Sequence, residues 1–109
     1  VLKEFSKYLT DVKYASKKEG WHISGILKNA SNQNLKFDVR NMRKVSDSLS
    51  EKEGTFNSKA DKMIFDTPTQ WIILDIEEMH KYLKDNKKKE VNLNELMSEL
   101  DWNMVINKQ

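Results

Sequence analysis

Three features of the sequence predict one α+β domain: helical apolar spacing at the N-terminus, period-two segments and β-rich runs between residues 21 and 74, and two capped apolar repeats after that. A length of 109 residues suits a single unit covering 1–109. The expected architecture is an N-terminal helix, a mainly antiparallel four- to five-stranded sheet and two C-terminal helices. Leu2, Phe5, Leu9 and Val12 fall on one helical face with Lys3, Lys7 and Lys13 turned away, which predicts a helix over residues 1 to about 17. Gly20, after Lys17-Lys18-Glu19, stands where a helix C-cap glycine is expected.

The period then changes. Trp21 to Lys28 alternates as a strand, the polar cluster Asn29 to Asn34 reads as a turn, and Leu35 to Arg40 alternates again, giving a hairpin. Leu35, Phe37 and Val39 share one face; Lys36, Asp38 and Arg40 share the other. Residues 41 to 59 are mostly polar and read as a long loop with room for a short helix. Lys62 to Phe65 and Gln70 to Leu74 read as strands around the turn Asp66-Thr67-Pro68-Thr69. Thr67 offers a competing helix start, against which the β-rich Trp71-Ile72-Ile73 argues. Asp75 and Glu78 form a capping-box pattern for a helix through Asn86 that buries Ile76, Met79 and Leu83. Asn92 and Glu95 open a third helix carrying Leu93, Leu96, Met97 and Leu100, and Trp102, Met104 and Ile106 add a short last strand.

Composition narrows the function classes. The absence of Cys removes disulfide scaffolds, Cys-based zinc sites, iron–sulfur clusters and cysteine nucleophiles, and points to a cytoplasmic, intracellular setting. The longest apolar stretch, Trp71 to Leu74, is far below a membrane span, so no membrane association is expected. The opening Val1-Leu2-Lys3-Glu4-Phe5 lacks signal-peptide character, and a start without Met suggests a piece cut from a longer chain. Seventeen Lys against two Arg, with ten Asn, imply A/T-rich codons and suggest phage or mobile-element origin. The net charge of +2 makes charge placement more informative than the sum.

No GxxxxGK[ST], GxGxxG or GxSxG pattern is present, which removes P-loop, dinucleotide and serine-hydrolase chemistry. His22 and His80 have no metal-ligand spacing. The informative region is the hairpin and its loop. Lys28, Lys36, Arg40, Arg43 and Lys44, together with Lys59 and Lys62, cluster there in sequence as candidate phosphate contacts, with Trp21 or Phe56 as candidate stacking residues. Asp38 and Arg40 sit at i, i+2 on one strand face, an arrangement able to hold Mg²⁺ and stabilise an attacked phosphate; it is also the commonest solvated strand face, and spacing alone favours that reading.

The series Asn34 to Arg40, then Ser58 to Phe65, then Trp71 to Leu83 resembles the second half of the restriction-endonuclease-like PD-(D/E)XK fold over residues 34–86. The resemblance implies a Mg²⁺-dependent nuclease or a binding-only relative, with Asp38 as the metal-binding acid and Arg40 in the place of the motif's lysine. Arg40 departs from that lysine, and no acid lies between Trp21 and Phe37 to supply the second ligand. Two functions are therefore expected: a domain that binds or processes nucleic acid through the basic hairpin, or a noncatalytic protein-interaction module such as an inhibitor or assembly factor. For the second, Met97, Leu100 and Trp102 offer a face for a protein partner or homodimer.

Overall fold

The computed structural model describes residues 2–16, 20–28, 32–44, 48–50 and 58–108. Phe56, Gly54 and Lys17-Lys18-Glu19 lie outside them. In chain order the elements are α1 (Leu2–Ser6), β1 (Leu9–Tyr14), β2 (Ile23–Leu27), β3 (Leu35–Asn41), β4 (Ser48–Ser50), β5 (Lys62–Asp66), β6 (Gln70–Asp75), α2 (Ile76–Asp85), β7 (Glu90–Asn92), α3 (Leu93–Glu99) and β8 (Asn103–Asn107). This is the α+β class expected, with its short N-terminal helix and two C-terminal helices. The main sheet has six strands in the order β1-β2-β3-β5-β6-β8, and β4 pairs with β7 in a second, two-stranded sheet. Every neighbouring pair in the main sheet is antiparallel except β3–β5, which is parallel.

The first extra strand arises where helical spacing misled. The predicted helix over residues 1–17 ends at Ser6, and Leu9–Tyr14 pairs with β2 instead. Leu9 is buried, whereas Thr10, Asp11, Lys13 and Tyr14 are exposed, so this edge position asks for little more than one inward apolar group. Gly20 does take a left-handed φ of 77°, but beyond a strand rather than at a helix end. Within residues 41–59 the structure places β4, which the sequence reading did not anticipate.

Alternation along β3 then divides the molecule into two layers. Leu35, Phe37 and Val39 face α1, where Phe5, Leu9, Ile23, Leu27, Ile64, Trp71 and Ile73 complete one apolar cluster. On the opposite face Met63, Phe65, Ile72 and Leu74 pack beneath α2, α3 and the small sheet through Met79, Leu83, Leu93, Leu96, Val91 and Leu49. Lys36, Asp38 and Arg40 are on this second face, where the covering helices give way to polar groups.

Both C-terminal helices start as expected. Asp75 accepts from the N–H of Glu78 at 3.0 Å, and Asn92 accepts from that of Glu95 at 2.8 Å. Glu78 does not reach back as a capping box would. Its two oxygens accept from the N–H groups of Asp101 and Trp102 at 2.6 and 3.0 Å and anchor the chain between α3 and β8. Thr67 starts no helix; it exchanges hydrogen bonds with Gln70 across the β5–β6 turn. Met97, Leu100 and Trp102 do not form one face: Met97 and Leu100 join the cluster under the helices, and Trp102 joins the one on the other side of the sheet.

A polar clamp holds α2 to α3. The Tyr82 hydroxyl donates to Glu95, and Lys88 Nζ lies 3.0 Å from Oε2 of the same carboxylate. The hydrogen bond to Glu95, followed by burial and neighbouring negative charge, pushes Tyr82 up from 10.0 to about 12. The same bond, with Lys88, lowers Glu95 below its usual range. The folded state thus holds the Tyr82 proton more tightly than the unfolded chain does, so this contribution is present below pH 10.0 and is lost as pH rises towards about 12. That of Glu95 is present above its ordinary 4.5 and is lost as pH falls through its depressed value. In Glu95→Gln, phenolate absorbance should show the Tyr82 transition moving back towards 10.0; a transition left at about 12 would contradict the clamp.

Candidate nucleic-acid interface

Asp38 is the hub of the polar region on the second face. It lies mid-strand on β3, beside Met63 of β5 in the parallel register, and is only 4% exposed. A carboxylate in that position must be hydrogen-bonded or neutralised. Arg40, two residues along the same face, supplies both: Nε reaches Oδ1 and Nη2 reaches Oδ2, each at 3.1 Å. Ser58 Oγ donates to Oδ2 at 2.8 Å and itself accepts from the Ala60 N–H at 3.3 Å. His22 Nδ1 lies 3.3 Å from Oδ1 but accepts the Val39 N–H at 2.9 Å. That nitrogen therefore acts as an acceptor, and its approach to Asp38 is not a hydrogen bond in this tautomer.

This geometry does not fit a metal ligand. Both Asp38 oxygens are engaged, and a guanidinium occupies the side from which a cation would bind. The nearest further acid along the seam, Asp61, uses Oδ2 to accept the Lys36 N–H at 2.8 Å. Among the described residues no group of three or more His, Cys, Asp and Glu could hold a metal ion. Nor do Ser58, His22 and Asp38 form a nucleophilic relay, because the serine bonds to the acid rather than to the imidazole.

The candidate cations are not brought together: Arg40 is held by Asp38, Lys62 is held by Asp75, and the others separate into three groups. Lys36 and Lys59 are exposed; Lys36 shares the Asp38 face of β3, and Lys59 follows the Ser58 that bonds Asp38. Lys36 Nζ is 5.6 Å from the centroid of the half-buried Trp21 ring, and the stem of Lys59 passes about 3.5 Å from where a Cβ on Gly20 would lie. Lys28 lies past the end of β2, with Nζ donating to Lys7 O at 2.8 Å. Arg43 and Lys44 follow the opposite end of β3, about 20 Å from Lys36 along the strand. Arg43 there lines an open groove of about 420 Å³ with Asn41, Asp66 and Lys108.

The sequence reading missed the two groups that complete the Asp38 network. His22 was legible in principle, since β2 alternation sets it beside Ser24 on the face of Lys36 and Asp38. Ser58 was not: twenty residues of chain separate it from Asp38, and only the parallel β3–β5 pairing brings it back. A second cation–acid pair, Lys62 and Asp75 at 2.8 Å, is directly cross-strand in the β5–β6 hairpin and roofs Trp102 with the ammonium 3.9 Å from the ring centroid. Comparisons of the chain with protein-family models, with curated proteins and with solved structures give no match. Among the described residues no helix is long and apolar enough to cross a membrane.

Proposed function

We propose that this chain is a nucleic-acid-binding domain that contacts phosphates through exposed lysines beside the β2–β3 hairpin, binding the strand rather than cutting it. The observation that carries this reading is the exposure of Lys36, two residues from Asp38 on the same strand face with its ammonium 5.6 Å from the Trp21 ring, and of Lys59, next to the Ser58 that bonds Asp38. Two exposed ammonium groups can neutralise adjacent phosphates, and an aromatic ring beside them gives a base a surface to stack on. Asp38 holds the Arg40 guanidinium in a fixed orientation through two hydrogen bonds. Cleavage finds less support, because the carboxylate that would bind Mg²⁺ is committed to that guanidinium and to Ser58.

The test is anisotropy of a labelled single-stranded oligonucleotide, as DNA and as RNA, titrated across a range of salt concentrations. Lys36→Ala and Lys59→Ala should each weaken binding and each lower the slope of log K against log salt by about one. Lys84→Ala, on the exposed side of α2, should leave the slope unchanged. Wild-type protein that fails to bind at about 50 mM salt, or a slope untouched in both variants, would refute the proposal.

A further inference from the structure

The main sheet ends in two unlike edges. At β1 the register with β2 breaks between Thr10 and Lys13, Asp11 adopts a φ of 54°, and Asp11 and Lys13 place opposite charges on the exposed strand. A bulge with charged side chains is how sheet edges are kept from pairing with other chains. β8 has none of these features. Its five residues, Asn103-Met104-Val105-Ile106-Asn107, pair with β6 in unbroken register and include neither a charge nor a proline, and Val105 is 38% exposed.

The hydrogen-bond phase of β8 is set by Lys108, whose N–H donates to Thr69 O at 2.9 Å. Antiparallel pairs alternate between bonded and non-bonded. Ile106 and Met104 therefore turn their peptide groups to β6, and Asn103, Val105 and Asn107 turn theirs outwards, to the side where the sheet has no further strand among the described residues.

We propose that β8 pairs antiparallel with β8 of a second copy of this chain, about a two-fold axis at Val105, to make one continuous sheet through both subunits. The strand's own sequence selects this occupant, because its side-chain classes read alike in both directions. Centred on Val105, the pairing sets Asn103 against Asn107 of the partner subunit, Met104 against Ile106 of the partner subunit, and Val105 against its own equivalent. The three outward-facing residues fall in bonded pairs, giving about six main-chain hydrogen bonds. Val105 closes against itself on one face of the sheet. On the other, Met104 and Ile106, half-buried in each subunit, pair across the axis, with Trp102 at the end of the row opposite Lys108 of the partner subunit. The blunted β1 edge leaves no second strand to add, so the assembly closes at two copies rather than growing into a fibre.

Sedimentation of the full chain, free of nucleic acid, from low micromolar to about 500 μM tests the proposal over the range expected of a small strand-addition interface. Wild type should move from 12.9 kDa to twice that mass. Val105→Lys, which sets two ammonium groups opposite each other, should remain at 12.9 kDa with an unchanged melting transition. Val105→Pro removes only an outward-facing N–H and should do the same; if that variant fails to fold, Val105→Lys decides. Wild type that stays at 12.9 kDa throughout, or a dimer that survives Val105→Lys, would overturn the proposal, as would a β8 edge found filled by a strand of another protein.

Discussion

Truncation of Phe5 to Ala is expected to lower the free energy of unfolding by about 3–5 kcal/mol, with a fall in Tm of more than about 10 °C. Phe5 has 0% exposure and is the one buried residue of α1. Its ring centroid lies 5.4 Å from that of Trp71, 5.7 Å from Phe37 and 5.8 Å from Tyr8, with edge-on geometry towards the first two. A five-residue helix has no stability of its own, because nucleation outweighs the few hydrogen bonds it forms. The side chain thus fills the cluster on this face of the sheet and also attaches the segment that carries it. Phe5→Leu, which keeps most of the volume, should recover much of the loss. Urea unfolding measures both, and a change below about 1 kcal/mol for Phe5→Ala would mean that α1 does not roof the sheet.

Replacement of Gly25 by Val should destabilise by about 2–3 kcal/mol through overpacking. Gly25 is buried in the middle of β2 between β1 and β3. A Cβ there would lie 2.9 Å from the Thr10 carbonyl oxygen and 3.0 Å from Leu9 Cβ. The first obstacle is main chain at the β1 irregularity, so a rotamer change cannot relieve it. The strand would have to move, and amide exchange in Leu9–Tyr14 should accelerate before exchange in β5 or β6. Gly25→Ala should show a smaller effect in the same direction. A Val variant as stable as wild type would show that β1 has freedom to shift.

These two positions also show what the sequence revealed and what it concealed. Phe5 was legible as an inward apolar residue, but Leu9 and Val12 continued its helical spacing, and a single inward-facing residue on an edge strand gives too weak a period-two signal to compete. The β2–β3 hairpin was legible because polar turn residues separate alternating segments, the β5–β6 hairpin because Asp66-Thr67-Pro68-Thr69 separates two β-rich apolar runs, and α2 and α3 because Asp75 and Asn92 cap them. β4 is three residues long and is specified by its pairing with β7, forty residues away, so no local pattern announces it. The face shared by Lys36, Asp38 and Arg40 followed from strand periodicity. Its division into an ion-paired centre and separated flanking cations did not, because Ser58 reaches Asp38 only through long-range pairing and Arg43 and Lys44 lie beyond the strand end.

The parallel seam between β3 and β5 bears on how the chain matures as it leaves the ribosome. α1 and the β1–β2–β3 meander emerge first, carrying Phe5, Ile23 and Phe37, yet the residues that seal these from water, Ile64, Trp71 and Ile73, are still to be synthesised. Unlike a tight hairpin, a parallel neighbour cannot be recruited across two residues, and here about twenty must pass before β5 arrives. Each nascent chain therefore presents an uncovered aromatic face until its second half has been translated, a natural point of engagement for chaperones.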